Sequence, residues 1–193
     1  LFDVKTEFNP NCSYEGNQLK DQYGLACYNP QNYDGLFHGP VTMREALARS
    51  LNIPSVKLLY LAGIDRTVDL ATRMGIPTLK DNKQNFGLSL VLGGAEVKLL
   101  DIVSAYATFA NDGLREQTSF LLKMEDTNGN ILEEYKPKEE RALDPQVARM
   151  ITNILSDNPA RTPVFGPNSS LYFPDRSVAA KTGTTQENRD AWV

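Results

Sequence analysis

The residues best suited to chemistry lie near the C-terminal end of the sequence, in the run Lys181-Thr182-Gly183-Thr184. Small and β-branched residues lead into this run and predict a strand. A lysine ammonium and two hydroxyls on an exposed strand suit an acyl group that carries a carboxylate, and Gly183 lets the backbone of a ligand approach closely. The same residues also suit an ordinary edge strand, where a lysine discourages aggregation. The interpretation as a binding strand therefore needs partners elsewhere in the chain.

The residues after this run predict a return strand. Residues 186–189 are polar and favour a turn, and Asp190-Ala191-Trp192-Val193 can then pair back onto the lysine-bearing strand.

Two consecutive helices are predicted earlier in the chain. Thr42 and Glu45 form a capping box, in which each side chain satisfies a backbone N–H at the start of a helix that runs to about Leu51. Pro54 disfavours helical geometry at the residue before it and suits the first turn of a second helix, Ser55–Leu61.

The run Ser50-Leu51-Asn52 falls at the predicted junction of these two helices. Side chains at such a corner can point into a cleft instead of along a helix face, which makes Ser50 and Asn52 candidates for a site. Taken alone, the two residues are better explained as a plain helix stop.

The same Ser-x-Asn pattern recurs at Ser156-Asp157-Asn158. This second copy follows an amphipathic helical pattern and precedes Pro159, where Ser, Asp and Asn gather simply because they end helices. We therefore interpret it as a helix terminus and not as part of a site.

Composition excludes several classes of protein. The 193 residues suffice for one domain with a core, and 41% hydrophobic and 23% charged residues are typical of a globular protein. A net charge of -4 without a dense Lys/Arg run argues against a nucleic-acid surface. No apolar stretch approaches the ~20 residues that cross a bilayer. Because the sequence starts without a signal-like segment and stops within a strand-like run, we expect a fragment of a longer protein.

The two cysteines, Cys12 and Cys27, lie in a segment rich in Asn, Tyr, Gly and Pro that predicts loops and one short strand, Leu1–Phe8. Together with His38 they fall short of the four ligands of a typical structural zinc site. They are either free thiols or a loop disulfide, which requires an oxidising compartment. We favour the disulfide, because loop cysteines have little apolar packing around them.

The rest of the chain predicts further helices and one hairpin. Helices are expected at Arg66–Met74, at Glu96–Ala110 and from Asp144-Pro145 onward. Asn128-Gly129 between two β-rich runs predicts a hairpin, and Lys136–Arg141 predicts a solvated loop.

Two of these helices carry an apolar side that we expect to be buried. On the earlier helix it comprises Val97, Leu100, Val103, Ala107 and Ala110, and on the later one Val147, Met150, Ile151, Ile154 and Leu155.

These motifs together resemble one family. Ser50-x-Asn52 and Lys181-Thr182-Gly183 resemble two of the three signatures of the serine penicillin-recognising enzymes, which are the penicillin-binding proteins and serine β-lactamases. Their surroundings are similar to class A penicillin-binding proteins over nearly the whole chain and in the family's order. The similar segments are Gly39–Lys57, Leu92–Val97, Ala105–Gly113, Lys181–Thr185 and Arg189–Trp192.

The resemblance implies an α+β fold. Residues 1–193 would be one partial transpeptidase domain of the β-lactamase/transpeptidase-like fold, with a helical subdomain and an incomplete antiparallel sheet. The implied activity is that of a D,D-transpeptidase, which cross-links peptidoglycan stem peptides ending in D-Ala-D-Ala through a serine acyl-enzyme. It needs no cofactor or metal, is inhibited by β-lactams and works at the extracytoplasmic face of the bacterial cytoplasmic membrane, held by an anchor upstream of this segment.

The resemblance also implies a role for each motif residue. Ser50 would relay a proton to the leaving amine, and Asn52 would hold the substrate amide by hydrogen bonds. Lys181 would supply positive charge to the relay and to the substrate carboxylate. Thr182 and Thr184 would offer hydroxyls to that carboxylate beside Gly183, and a backbone N–H near Thr184 would form half of the oxyanion hole.

One signature of the family is missing. Its nucleophile is the serine of a Ser-x-x-Lys motif, and no serine of this chain has a lysine three residues later. Ser55 has Lys57 at two residues and Ser119 has Lys123 at four. We expect the motif shortly before Leu1, so that this polypeptide forms no acyl-enzyme by itself.

Two alternatives to a transpeptidase remain. A serine β-lactamase or D,D-carboxypeptidase would use water as the acceptor, and the segment Leu92–Glu96 argues against a β-lactamase. A non-catalytic transpeptidase-like module would bind peptidoglycan or a partner, although the two intact motifs count against such degeneration. Sheet strands missing at both ends would leave strand edges and apolar surface uncovered, which predicts marginal stability or self-association.

Overall fold

The computed structural model describes residues 1–184 and 191–193. The helices are α1 (Met43–Ala48), α2 (Asn52–Ala62), α3 (Ile64–Arg73), α4 (Thr78–Asp81), α5 (Leu99–Ala110), α6 (Pro145–Leu155) and α7 (Asn158–Phe165), with 3-10 helices at Lys83–Asn85 and Leu88–Leu92. Within this described part of the chain, no helix combines the length and the apolar character that crossing a bilayer requires.

The described strands form antiparallel pairs. They are β1 (Phe2–Asp3) with β2 (Gly39–Pro40), β3 (Leu114–Glu116) with β6 (Glu139–Arg141), β4 (Lys123–Glu125) with β5 (Ile131–Glu134), and β7 (Gly183–Thr184) with β8 (Ala191–Trp192). Helices with separate antiparallel strand pairs confirm the predicted α+β class. The pairing of β7 with β8 confirms the return strand, whereas the predicted turn at residues 186–189 lies outside the described residues.

The chain divides into two compact units. The first comprises residues 1–64, 85–95 and 153–193 and contains both candidate motifs. The second comprises residues 65–84 and 96–152.

The corner between α1 and α2 lies in the first unit and rests on a small apolar core. Val41, Ala46 and Leu51 form a buried cluster against which Leu1 packs. The capping box at the start of α1 is confirmed, because the Thr42 N–H donates to Glu45 Oε2 at 2.8 Å and the Glu45 N–H donates to Thr42 Oγ1 at 3.1 Å. Helix α1 thus starts where the sequence predicts, although it ends at Ala48 and not near Leu51.

The predicted start of α2 is wrong. The helix begins at Asn52 and not at Ser55, so that Ile53, directly before Pro54, is helical. The N–H groups of Asn52 and Ile53 both donate to the side-chain oxygen of Asn32, at 2.9 and 3.3 Å. A partner twenty residues away therefore outweighs the local preference of a residue before proline.

Residues 1–39 are mostly loops, and the predicted strand Leu1–Phe8 is reduced to β1. Beyond β1 the backbone bonds to other loops, as in the 3.0 Å bond from the Phe8 N–H to the Tyr28 carbonyl. Of the two alternatives for the cysteines, the structure shows the disulfide between Cys12 and Cys27, with their Cα atoms 5.8 Å apart.

The segment after α6 contains a helix that the sequence did not predict. Asp157 caps the N-terminus of α7, and Pro159 sits in its first turn, where a missing N–H costs nothing. A second proline, Pro163, lies within the helix, so a proline-rich sequence here does not indicate a loop.

In the second unit, β3 and β6 form a strand pair beside α5. The segment Lys136–Arg141 was predicted as a solvated loop, and this is wrong for its last three residues, whose side chains are exposed but whose backbone pairs with β3. Gly113 lies between α5 and β3 at a φ of 82°, and a Cβ there would come within 2.4 Å of the Leu143 carbonyl oxygen. Only glycine permits this close approach.

The predicted buried side of α5 is wrong, because none of its five residues is buried, and that of α6 is wrong in part. Leu100 and Val103 on α5 are 61% and 56% exposed, and Ala105 and Thr108 are buried instead. On α6, Met150 is 58% exposed. A 3.6-residue period identifies an apolar side, but burial also requires a neighbouring element to cover that side.

The predicted hairpin at Asn128-Gly129 is confirmed by the pairing of β4 with β5. Asp126 fixes the turn, because its Oδ1 accepts from the N–H groups of Asn128 and Asn130, both at 2.8 Å. This bonding pattern is the one by which aspartate initiates turns.

Reduction of the Cys12–Cys27 disulfide is expected to lower the free energy of unfolding by about 3 kcal/mol, because the closed loop regains its freedom in the unfolded chain. Urea unfolding followed by circular dichroism, with and without a reductant, measures the difference. A double variant, Cys12→Ser with Cys27→Ser, is the control and should not respond to the reductant. Equal stability of the oxidised and reduced wild-type chain would contradict the prediction.

Candidate active site

Ser50 lies at the junction of α1 and α2 with a backbone conformation that is rare for its residue type. Its φ is 59°, in the left-handed region, and the N–H of Leu51 donates to the Ala46 carbonyl at 2.9 Å. A non-glycine residue in this region costs about 1–3 kcal/mol, and such residues concentrate at functional sites. The left-handed residue ends α1 and lets α2 start two residues later.

The ammonium of Lys181 reaches this junction. Its Nζ donates to Ser50 Oγ at 2.7 Å and to the carbonyl oxygen of Thr182 at 2.8 Å. The contact joins two motifs that are 131 residues apart in the sequence. Burial lowers the pKa of the Lys181 ammonium below its ordinary value of 10.5. A lysine with a lowered pKa gives up its proton more readily, so the pair can transfer a proton through the hydroxyl.

The backbone on the N-terminal side of Lys181 is held by the end of α6. The Ala180 N–H donates to the Leu155 carbonyl at 3.0 Å, and Arg161 Nη2 donates to the same oxygen. The Arg161 side chain is only 3% exposed, and this burial lowers its pKa. The Leu155 carbonyl at the end of α6 thus accepts hydrogen bonds both from α7 and from the residue directly before Lys181.

Asn52 is the first residue of α2 and is held at two points. Its backbone N–H donates to Asn32 Oδ1, and its side-chain Nδ2 donates to the Gln31 carbonyl at 2.8 Å. The contacts described for the side chain therefore use its NH2 group, and its oxygen is the part suited to accept from a ligand.

The residues after Lys181 form an exposed edge. Thr182 is half-buried, while Gly183 and Thr184 are exposed in β7. Strand β8 is the only partner of β7 among the described residues. An exposed short strand with a free edge can accept an extended peptide by backbone hydrogen bonding.

The rival pattern Ser156-Asp157-Asn158 is a helix terminus, as predicted. Asp157 Oδ1 accepts from the Ala160 N–H at 3.0 Å, and its Oδ2 pairs with Arg44 Nη1 at 2.8 Å. Both carboxylate oxygens are therefore used in structural contacts.

A pocket of about 330 Å³ in the first unit includes none of the motif residues. It is lined by Phe8, Asn9, Ala26, Cys27, Tyr28, Gly87, Leu88 and Ser89.

The chain matches the family model of the penicillin binding protein transpeptidase domain over residues 5–191. The chain belongs to this transpeptidase family. The similarity to class A penicillin-binding proteins noted in the sequence is confirmed, because the curated relatives include penicillin-binding proteins 1A, 1B and 1C.

Relatives of this transpeptidase-family chain are much longer than the chain itself. Penicillin-binding protein 1A of Aquifex aeolicus is 37% identical over 164 residues, which are 84% of this chain and 21% of the relative. The chain thus spans about a fifth of the length of the curated relatives it matches.

Solved structures confirm the transpeptidase fold. The penicillin-binding protein PonA1 from Mycobacterium tuberculosis superposes with a TM-score of 0.71 at 25% identity, covering 86% of this chain and 46% of PonA1. PonA1 in complex with penicillin V superposes with a TM-score of 0.70 at 26% identity, covering 84% of this chain and 45% of PonA1.

Among the predicted site residues of this family member, Ser50 and Lys181 are in direct contact, and Asn52 lies one residue beyond Leu51 at the same junction. Sequence reasoning missed the residues that hold them, namely Gln31, Asn32, Leu155 and Arg161. Asn32 stands in a run of Asn, Asp and Gly residues that is typical of a turn and does not indicate a helix cap. No local signal marks Asn32, because the predicted start of α2 at Ser55 does not place Leu51 at the N-cap.

Lys181 is expected to titrate below 10.5, whereas Lys83 titrates above its ordinary value because of a hydrogen bond to Asp65. Between this lowered pKa and 10.5, the unfolded chain therefore binds more protons at Lys181 than the folded chain does. In that pH range, the free energy of unfolding should rise with pH. NMR of a chain labelled with 13C at lysine Cε measures both titrations.

The variant Lys181→Met assigns the Lys181 resonance and should flatten this alkaline rise in stability. A Lys181 resonance that titrates together with that of Lys83, or above it, would show that burial does not lower the Lys181 pKa.

Proposed function

We propose that this chain carries the Ser-x-Asn and Lys-Thr-Gly side of the active site of a peptidoglycan D,D-transpeptidase, as part of a penicillin-binding transpeptidase domain. The observation that carries the proposal is the 2.7 Å hydrogen bond from Lys181 Nζ to Ser50 Oγ. It brings together two residues whose motifs jointly characterise serine penicillin-recognising enzymes. The family membership of the chain supports the same reaction class.

The proposed substrate is a peptidoglycan stem peptide that ends in D-Ala-D-Ala. The intact protein's nucleophilic serine attacks the carbonyl between the two D-Ala residues, the terminal D-Ala leaves as an amine, and a second stem peptide supplies the amine that takes the acyl group. No step requires a cofactor or a metal.

Ser50 and Lys181 are proposed to return the proton to the leaving amine. The serine hydroxyl both accepts and donates hydrogen bonds, and the lysine beside it has a lowered pKa. A proton can therefore pass from the ammonium through the hydroxyl to the departing nitrogen, which then leaves as a neutral amine.

The rest of the motif is proposed to hold the substrate. Thr182 and Thr184 direct hydroxyls to the terminal carboxylate, whose charge the Lys181 ammonium complements. Gly183 allows the peptide backbone to approach β7, and a backbone N–H near Thr184 forms half of the oxyanion hole. Asn52 binds the amide of the preceding residue through its side chain.

β-Lactams are the proposed inhibitors, because the solved relative PonA1 is seen in complex with penicillin V. The proposed location is the extracytoplasmic face of the bacterial cytoplasmic membrane. The disulfide between Cys12 and Cys27 supports this location, since disulfides persist in oxidising compartments.

The alternative function is a non-catalytic module that binds peptidoglycan or a partner, favoured only by the lack of a Ser-x-x-Lys motif within these 193 residues. Against it stands the partly buried Lys181, whose ammonium donates to Ser50 Oγ, because a binding module has no need to desolvate a lysine beside a strained serine. A β-lactamase or carboxypeptidase would turn over penicillin or release free D-Ala without cross-linking.

The chain by itself is expected to remain unlabelled by a fluorescent penicillin on a denaturing gel, because it contains no serine with a lysine three residues later. A covalent band would disprove this. The companion sample is a chimera in which the Ser-x-x-Lys segment of a homologous transpeptidase domain precedes Leu1, and the folded chimera should be labelled.

In that chimera, Lys181→Ala should slow labelling at least about 100-fold, the usual contribution of a proton-transfer group. Lys80→Ala removes an exposed lysine of α4 and is the matched control, with labelling unchanged. A labelled chimera that does not respond to Lys181→Ala would contradict the proposed role of Lys181.

A further inference from the structure

Asn32 is a buried side chain whose amide is fully engaged. It is 5% exposed. Its Nδ2 donates to both oxygens of Asp3, at 2.9 and 2.7 Å, and to the Leu36 carbonyl at 2.8 Å. Its Oδ1 accepts from the N–H groups of Asn52 and Ile53. The side chain therefore joins the N-terminal segment to the first turn of α2.

Asp3 fixes the orientation of this amide. Its carboxylate is completely buried, and Oδ2 also accepts from the His38 N–H at 3.0 Å and lies 2.6 Å from His38 Nδ1. The other ring nitrogen of His38 lies 3.2 Å from Asp34 Oδ2. With its oxygens surrounded by donors, Asp3 can only accept, so the NH2 group of Asn32 must face Asp3 and its oxygen must face α2.

Helix α2 lacks a cap of its own at its N-terminus. The N-cap residue is Leu51, which has no side chain able to accept a hydrogen bond and is buried in the cluster with Val41 and Ala46. The first N–H groups of a helix need acceptors, usually from a Ser, Thr, Asp or Asn at the N-cap. Asn32 supplies this acceptor from a distant part of the chain.

This remote cap leaves the Ser50 hydroxyl available. Serine is among the residues preferred at the N-cap, and Ser50 lies one position before the N-cap residue Leu51. Here Ser50 has left-handed backbone geometry, and its Oγ accepts from the Lys181 ammonium. The neighbouring Gln31 carbonyl holds the Asn52 side chain at the same time.

We propose that Asn32, oriented by Asp3 and His38, is the positioning residue of the Ser-x-Asn motif, so that Ser50 can serve Lys181 instead of capping α2. This assignment rests on the proposed function of Ser50 and Lys181. Among the described residues, Asn32 forms no hydrogen bond to either of these side chains, and it acts through the first turn of α2.

The test compares variants of the 193-residue chain by two measurements. Hydrogen exchange reports the protection of the Asn52 and Ile53 amides relative to the Leu59 amide further along α2. NMR of 13Cε-labelled lysine reports the titration of Lys181. A purely global loss of stability would affect all three amides alike and would leave the Lys181 titration of the folded chain unchanged.

Asn32→Ala is expected to speed exchange at Asn52 and Ile53 roughly tenfold relative to Leu59, because the cap is lost. The Lys181 pKa should rise toward 10.5 as the Ser50 contact loosens and water reaches the ammonium. Gln31→Ala is the matched control, because it removes an exposed neighbouring side chain and keeps the backbone carbonyl that holds Asn52. It should change neither measurement.

A charge swap tests the orientation of the amide. Asn32→Asp alone places two carboxylates against each other and should disturb both measurements more than Asn32→Ala does. Adding Asp3→Asn restores a donor opposite the new carboxylate, and the double variant should recover most of the wild-type exchange and titration.

Unchanged exchange and an unchanged Lys181 titration in folded Asn32→Ala would overturn the proposal. If Asn32→Ala does not fold, the double variant Asn32→Asp with Asp3→Asn decides. A folded double variant in which Lys181 titrates as in the wild type supports the proposal. A displaced Lys181 titration, or no recovery of exchange and titration, overturns it. Neither measurement uses a penicillin or a peptide. Failure of the proposed function would therefore appear in the labelling experiment and leave these results unaffected.

Discussion

The hydrogen bond between the Lys181 ammonium and the Ser50 hydroxyl is the contact on which the site depends. It is only 2.7 Å long and joins an early helix junction to a late strand, so it forms only when both backbones are held to within a fraction of an ångström. The contact is costly on both sides, because Ser50 has a strained backbone and Lys181 is desolvated. Such costs persist only where the surrounding structure determines the geometry.

Buried polar groups hold the backbone in position on each side of the contact. On the Ser50 side, Asn32 caps α2 and is oriented by Asp3. On the Lys181 side, the Leu155 carbonyl receives both the Ala180 N–H and the Arg161 guanidinium. Hydrogen bonds have strict geometry, and a buried polar group left without its partner is expensive, so these contacts fix position more sharply than apolar packing does.

The features that could be predicted from the sequence are those that depend on residues close together in the chain. The capping box of Thr42 and Glu45, the Asn128-Gly129 hairpin and the two motifs all depend on residues within a few positions of one another. The start of α2 could not be predicted, because its capping group comes from Asn32, twenty residues earlier. The exposure of Leu100 and Val103 could not be predicted either, because periodicity identifies an apolar side of a helix without showing what covers it. For the site, Ser50 and Lys181 could be paired because their motifs resemble those of a known family, but nothing in the sequence pointed to Arg161 or Asn32.

A double-mutant cycle on Ser50→Ala and Lys181→Met tests the central contact most directly. The unfolding free energies of the wild-type chain, both single variants and the double variant are measured in urea at one fixed pH. A hydrogen bond to a charged group predicts a coupling of about 1.5–3 kcal/mol between the two sites. Additive effects, to within about 0.5 kcal/mol, would show that Ser50 and Lys181 do not interact and would contradict the account.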